Sequence, residues 1–385
     1  MKAYIQPNMI LWTRKRAGFS VENSAKKLNV TPARFELWER GDDFPTLRQA
    51  QDIAKTMHVP LGWLYLQNPP QETVILPDLR TVRDGERVEL SVDFRDQLNE
   101  VLYKQQEYLE LIIEEGAEPR PFIGKYSVRD EINAVVADIR TVLGLDNEMR
   151  RTAKNGGDFL RAFIHRAESV GILVMRSGIV GGNTHRALSV EEFRGFAISD
   201  AYAPVVFLNG KDAPAAQIFT LAHELVHLWI GESGISNQAM NYSGGTQKQI
   251  EVFCNKVAAE LLVPADEMKY LWNAAKEPQE NIHELTRHFR VSGLVLLYRA
   301  KDLNYINRSV FDELYRIEAA RHRRKKNDNG GPPPVMTVPV RNSRLLTDTV
   351  LVAAYEGRML FRDACRTLGT TMTTLNKLAS EAGVI

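Results

Sequence analysis

Apolar residues recur every three to four positions over residues 9–16, 21–28 and 33–40, a spacing that predicts three short helices. The punctuation agrees with the periodicity. Ala17-Gly18 breaks the first run, Ser20 is placed to cap the second, Thr31 with Pro32 opens the third, and Gly41 ends it. Two short helices joined by a tight turn are the layout of a helix-turn-helix, predicted here within a small bundle over residues 1–68. A polar stretch with Asp84-Gly85 follows, then helical spacing over residues 94–115, so residues 69–127 read as a helical connector. Helical patterns return at 128–145 and 158–169. Short apolar runs at 171–175, 193–198 and 204–208, separated by turn residues, predict strands. Residues 219–229 and 251–263 are helical in pattern until Pro264 stops the second, and 267–320 are largely helical. The basic run 321–326 and a Pro- and Gly-rich stretch make 321–342 a linker, and 343–385 a small C-terminal helical unit suited to dimerisation or partner docking. The expected class is α+β, mostly α, with 128–320 as the central domain.

Inside one apolar helix stands Phe219-Thr220-Leu221-Ala222-His223-Glu224-Leu225-Val226-His227-Leu228-Trp229. Residues four apart share a helical face, so His223 and His227 point two imidazoles at one metal ion, with Glu224 beside them as general base. Uncoordinated imidazoles and a carboxylate in so apolar a frame are costly to bury. A catalytic zinc keeps three protein ligands and an open position, so a third ligand must come from elsewhere. Glu251 is the first choice: it opens the 251–263 segment and shares a stripe with Asn255, Ala258 and Leu262, where the small Ala258 and Ala259 allow close helix packing. Glu232 and Glu260 are alternatives. His283 and His288 are five apart, a poor spacing for one ion, and His58, His165, His185 and His322 have no visible partners.

The run FTLAHELVHLW, followed by Glu251, Asn255, Ala258-Ala259-Glu260-Leu261-Leu262 and Pro264, resembles the ImmA/IrrE family of bacterial metallopeptidases. The resemblance extends back through Phe193-Arg194-Gly195-Phe196 and the stretch from Ala203 to Asn209, covering roughly residues 130–270. It implies a zincin-like fold, Zn2+ held by His223, His227 and Glu251, and cleavage of a DNA-binding repressor or related regulator. Val257 stands where the family tends to Phe, and Val263 where it tends to Met. An edge strand of the small sheet is expected to align an extended substrate, with Arg194 and Asn209 as substrate-binding candidates. Gly178 to Asn183 is expected as a mobile loop, and Gly231 to Gly245 as a segment shaping the cleft.

The N-terminal run from Gly18 to Leu64 is similar to XRE-type helix-turn-helix domains, including Ala25, Val30, Trp38-Glu39-Arg40-Gly41, Pro45-Thr46 and Leu47. In that design base contacts come from outward positions early in the second helix, here Ala33, Arg34 and Glu36, with Phe35 and Trp38 in the core. Lys26 and Lys27, with Arg14, Lys15 and Arg16, are candidates for phosphate contact. Residues 1–66 hold ten Lys and Arg against six Asp and Glu, a modest surplus of four. Glu36 and Glu39 on the reading helix oppose it, so a protein-binding or dimerising module is the alternative.

Composition adds limits. With 49 basic and 48 acidic residues the net charge is +1, so DNA binding must rest on local patches. At 385 residues and 44% hydrophobic content the chain has room for two or three packed domains. Cys254 and Cys365 lie far apart, which fits a reducing cytosol, and no apolar run is long enough for a signal peptide or membrane span. The expectation is a cytoplasmic, homodimeric regulator that binds operator DNA and hydrolyses a protein substrate, with a non-proteolytic repressor or antitoxin bound to its cognate toxin as the alternative.

Overall fold

The computed structural model describes residues 2–70, 82–83, 86–87, 90–236, 246–323 and 333–385. The Asp84-Gly85 turn, residues 237–245 of the expected cleft loop, and the basic run and linker beyond Arg323 as far as residue 332 lie outside the described residues. The chain divides into two compact units, Met1–Pro77 with Glu89–Asp96, and Asp78–Val88 with Gln97–Ile385.

In the first unit, helices α1 (Pro7–Arg16), α2 (Val21–Lys27), α3 (Pro32–Arg40) and α4 (Leu47–Thr56) surround Ile5, Ile10, Ala25, Phe35, Trp38, Ile53 and Leu64. The helix starts follow from their caps. Ser20 Oγ accepts from Asn23 N at 3.2 Å, Thr31 Oγ1 accepts from Arg34 N at 3.3 Å, and Thr46 with Gln49 forms a reciprocal capping box on α4. Gly41 closes α3 at φ 81°, a left-handed turn that costs glycine nothing.

The second unit opens on a two-stranded antiparallel ladder, β1 (Val82–Arg83) and β2 (Glu86–Arg87). Helix α5 (Val92–Glu114) is assigned to the first unit as far as Asp96 and to the second from Gln97. Then come α6 (Ile132–Leu143), α7 (Asn147–Thr152), α8 (Gly156–Ser169), β3 (Leu173–Ser177), β4 (Gly195–Ile198), β5 (Val205–Asn209), α9 (Pro214–Trp229), β6 (Gly234–Ser236) and α10 (Thr246–Leu262). The sheet order is β3-β5-β4-β6; β3 and β5 run parallel and the other pairs antiparallel. Every residue of β4 and β5 is buried, the signature of strands covered on both faces. Helix α9 packs on β4 and β5 and is flanked by α8 and α10, so Leu221, Leu225, Val226 and Leu228 share one core with Val206, Leu208, Val257, Ala258 and Leu261. The architecture is therefore α+β and mostly helical.

Helices α11 (Ala265–Leu271), α12 (Pro278–Phe289), α13 (Gly293–Asp302) and α14 (Arg308–Arg323) follow, then α15 (Pro334–Asn342), α16 (Arg344–Tyr355), α17 (Phe361–Thr367) and α18 (Met372–Glu381). The structure departs from the sequence pattern in three places. Residues 334–342, expected within a linker, form α15 in spite of Pro339, because Val338 and Asn342 are buried and the helix packs beside β3; packing overrides propensity. Glu251 does not open its helix: α10 begins at Thr246, which sets Glu251 in the second turn. Strand β6 was not foreseen, since three residues beginning with glycine carry no alternating pattern. Part of the Gly178 to Asn183 loop is a single 3-10 turn, Val180–Gly182, with Gly181 at φ 55° and Gly182 at φ 78°.

Candidate metal centre

Helix α9 starts with Pro214 at its first turn and carries His223, Glu224 and His227 into the interior, all buried. Helix α10 lies alongside and turns Glu251 toward the two imidazoles. His223 Nε2 stands 3.2 Å from Glu251 Oε2, His227 Nε2 stands 3.4 Å from Glu251 Oε1, and the two Nε2 atoms are 3.1 Å apart. Among the described residues these three form the one group of His, Cys, Asp or Glu side chains arranged to hold a metal ion. Glu260, an alternative third ligand, is instead paired with Arg299 of α13.

The donor set fits a divalent ion. Nitrogen and oxygen ligands about 2.0–2.2 Å from a tetrahedral centre stand roughly 3.3–3.6 Å from one another, close to the separations found. Two imidazoles and a carboxylate gathered this tightly, with side chains no more than 8% exposed, are arranged so that a cation could sit among them. The electrostatics agree. Burial works against a charged His223, yet its hydrogen bond with Glu251 and the fields of Glu251 and Glu224 outweigh burial and raise its pKa. Burial dominates at His227 and lowers its pKa. Burial also opposes ionisation of Glu251, but the two imidazoles hold its carboxyl well below the usual range.

Each imidazole is held differently on its far side. His223 Nδ1 meets Asn255 Oδ1 at 3.1 Å, one helical turn beyond Glu251 on α10. His227 Nδ1 has no hydrogen-bond partner among the described residues, and its ring instead lies against Gly234 of β6, where an added Cβ would stand 3.1 Å from Cε1. Gly195 of β4 has the same character. A Cβ there would stand 2.6 Å from Thr220 Cγ2, 2.8 Å from Phe207 O and 3.1 Å from Glu224 Oε1. At Gly195, β4 thus runs closer to the α9 side chains than any residue but glycine permits, while a side chain at Gly234 would need the His227 ring to give by a few tenths of an ångström.

The other predicted site residues are placed as follows. Arg194 Nη1 pairs with Asp212 Oδ2 at 2.8 Å, and Asn209 is fully buried, donating to Phe193 O and accepting from Lys211 N. The amide of Asn209 is enclosed and committed to backbone at the end of β5, whereas Arg194 stays partly exposed beside Asp212. In the first unit Ala33, Arg34 and Glu36 are exposed on α3, and Lys26 and Lys27 on α2, while Phe35 and Trp38 are core. Arg34 Cζ lies 5.7 Å from the Trp38 ring and Lys27 Nζ 5.1 Å from the Phe19 ring. Arg14 binds both oxygens of Glu39, at 2.6 and 3.1 Å, and Arg16 pairs with Asp96, so these two arginines are already engaged within the unit. His288 pairs with Glu267, which also holds Arg150.

Sequence reasoning placed Asn255 on the Glu251 stripe without giving it a task; the four-residue spacing from Glu251 was the available signal. Gly195 and Gly234 gave none beyond being glycines in or near strands.

Residues 167–301 match the family of IrrE N-terminal-like domains, peptidase M78, and residues 342–381 match a domain of unknown function, DUF8813. A stretch of 104 residues, 26% of this chain, is 36% identical to the radiation response metalloprotease IrrE of Deinococcus deserti, and covers 37% of that protein. The chain therefore spans little over a third of that relative's length. These likenesses support a metallopeptidase domain in the centre of the chain. The crystal structure of Bacillus thuringiensis PlcR with the peptide PapR7 and DNA aligns over 99% of this chain and 94% of its own, at 11% identity and a TM-score of 0.16, too loose a superposition to speak to fold or function. Among the described residues no helix is long and apolar enough to cross a membrane.

Proposed function

We propose that this chain is a DNA-binding regulator carrying a zinc-dependent endopeptidase that hydrolyses peptide bonds of a regulatory protein. The observation that carries it is the convergence of His223, His227 and Glu251 within 3.4 Å of one another, with Glu224 on the same helix. His223, His227 and Glu251 would hold the Zn2+. The ion, when bound, would supply Lewis acidity to the scissile carbonyl and to the attacking water. Glu224 takes the proton from the attacking water at a carboxylate oxygen and returns it to the leaving amine. Burial of the ligands lowers the local dielectric and strengthens each of these interactions. Among the described residues β6 is paired only with β4, and its other edge can take an extended substrate segment by main-chain hydrogen bonds, beside His227.

In the first unit, α3 reads operator DNA with Arg34, Ala33 and Glu36, and Lys26 and Lys27 meet phosphates. Joining a reader of DNA to a peptidase suits control of phage, stress-response or toxin-antitoxin type, in a cytoplasmic homodimer. The complete burial of Glu224 and His227 favours a second reading, in which the centre is latent and serves as a sensor or partner-binding module of a repressor or antitoxin. Incubating the purified chain and Glu224→Gln with zinc and candidate regulators, among them the product of a neighbouring gene, separates the two. Cleavage at one site by the wild type and none by the variant supports the peptidase; no cleavage of any candidate, with the partner captured intact, supports the second reading.

A further inference from the structure

Asn255 offers His223 an oxygen, and an amide oxygen can only accept, so the atom facing it at 3.1 Å must be a protonated Nδ1. In the neutral imidazole this fixes the proton on Nδ1 and leaves the Nε2 lone pair directed at Glu251 Oε2 and His227 Nε2. We infer that Asn255 is a positioning residue that selects the metal-binding tautomer of His223 and sets how tightly the centre holds its ion. The inference rests on the proposed metal centre and adds a control on its affinity.

The design has two particular features. Asn255 sits one turn after Glu251 on α10, so a single helix supplies both a ligand and the support of a second ligand, and any movement of α10 acts on both together. The support is also a neutral amide on an exposed residue, in contrast to the buried imidazole it holds. A carboxylate there would strengthen the bond and make the imidazole a better donor to the metal; an amide leaves affinity below what the same frame could reach. Its Nδ2 group has no hydrogen-bond partner among the described residues, so replacing it disturbs nothing else. A centre of intermediate affinity responds to the supply of metal, which a maximally tight one does not.

The test is zinc affinity, read by competition with a chromophoric chelator for the full chain, Asn255→Ala and Asn255→Asp, with thermal unfolding recorded alongside. The expected result is one zinc per wild-type chain, a weakening of roughly 10-fold for Asn255→Ala, the low end for loss of an outer partner because water reaches the exposed side, and binding at least as tight as wild type for Asn255→Asp. Unfolding midpoints without metal should stay together, which a merely structural role for Asn255 would not allow. Wild-type zinc binding with Asn255→Ala within about 2-fold, or Asn255→Asp weakened like Asn255→Ala, overturns the inference and leaves the metal centre standing. A wild-type chain that takes up no zinc overturns both.

Discussion

Glu251 reaches from the second turn of α10 to stand 3.2 Å from His223 on α9, and that pairing of two helices turns an HExxH sequence into a three-donor centre. Glu251→Gln should lower zinc affinity by more than about 100-fold, beyond the cost of losing an outer partner. Glu224→Gln should keep one zinc per chain while cleavage falls by roughly 100- to 10,000-fold. Metal content by elemental analysis, beside a peptide-cleavage assay, distinguishes a ligand from a base.

Gly195 has no room for a methyl group between Thr220, Phe207 and Glu224. Gly195→Ala should destabilise the second unit by about 1–3 kcal/mol, read as a lower denaturant midpoint, and should lower turnover of the surviving folded protein by displacing Glu224. Unchanged turnover would mean that the strand yields instead of the carboxylate.

Burial pushes the Cys254 thiol well above its ordinary pKa, and burial also raises that of Cys365. Both should react slowly with a disulfide reagent at pH 7 in the native chain and rapidly in denaturant. Loss of zinc on native alkylation would show a sulfur ligand besides His223, His227 and Glu251.

Glu168 accepts hydrogen bonds from Ser343 Oγ and Arg344 N at the start of α16, with Asp348 close by, and burial nevertheless raises its pKa. The folded state thus binds its proton more tightly than the unfolded chain. Its contribution to stability is fully present below the usual carboxylate range and is lost as pH rises toward the raised value. Glu168→Gln should flatten that part of a plot of unfolding midpoint against pH; an unchanged slope would place the proton elsewhere.

In the first unit, Arg34→Ala should weaken binding to the preferred operator by about 1–3 kcal/mol while changing binding to random DNA little, and Lys26→Ala should lower the salt slope by about one for every sequence. Arg14→Ala should act on stability, because its guanidinium is bound to Glu39.

Much of this was legible from spacing. The caps at Ser20, Thr31 and Gly41 fixed α2 and α3, since a cap is a local bargain between one side chain and the nearest free amides. The four-residue spacing of His223 and His227, and of Glu251 and Asn255, is likewise a property of one helix. What could not be read was contact between elements: that Gly234 and Gly195 press on α9, that Arg14 neutralises Glu39, and that Asn209 turns inward. Those depend on tertiary approach, which leaves no period in the chain.

In the proposed centre two imidazoles and one carboxylate hold the metal. The zinc K-edge absorption spectrum of the purified, zinc-loaded chain tests it most directly. The spectrum should show nitrogen and oxygen neighbours at about 2.0–2.1 Å with the outer scattering of two imidazoles, reduced to one in His227→Ala. A sulfur shell near 2.3 Å, or no imidazole scattering, would contradict it.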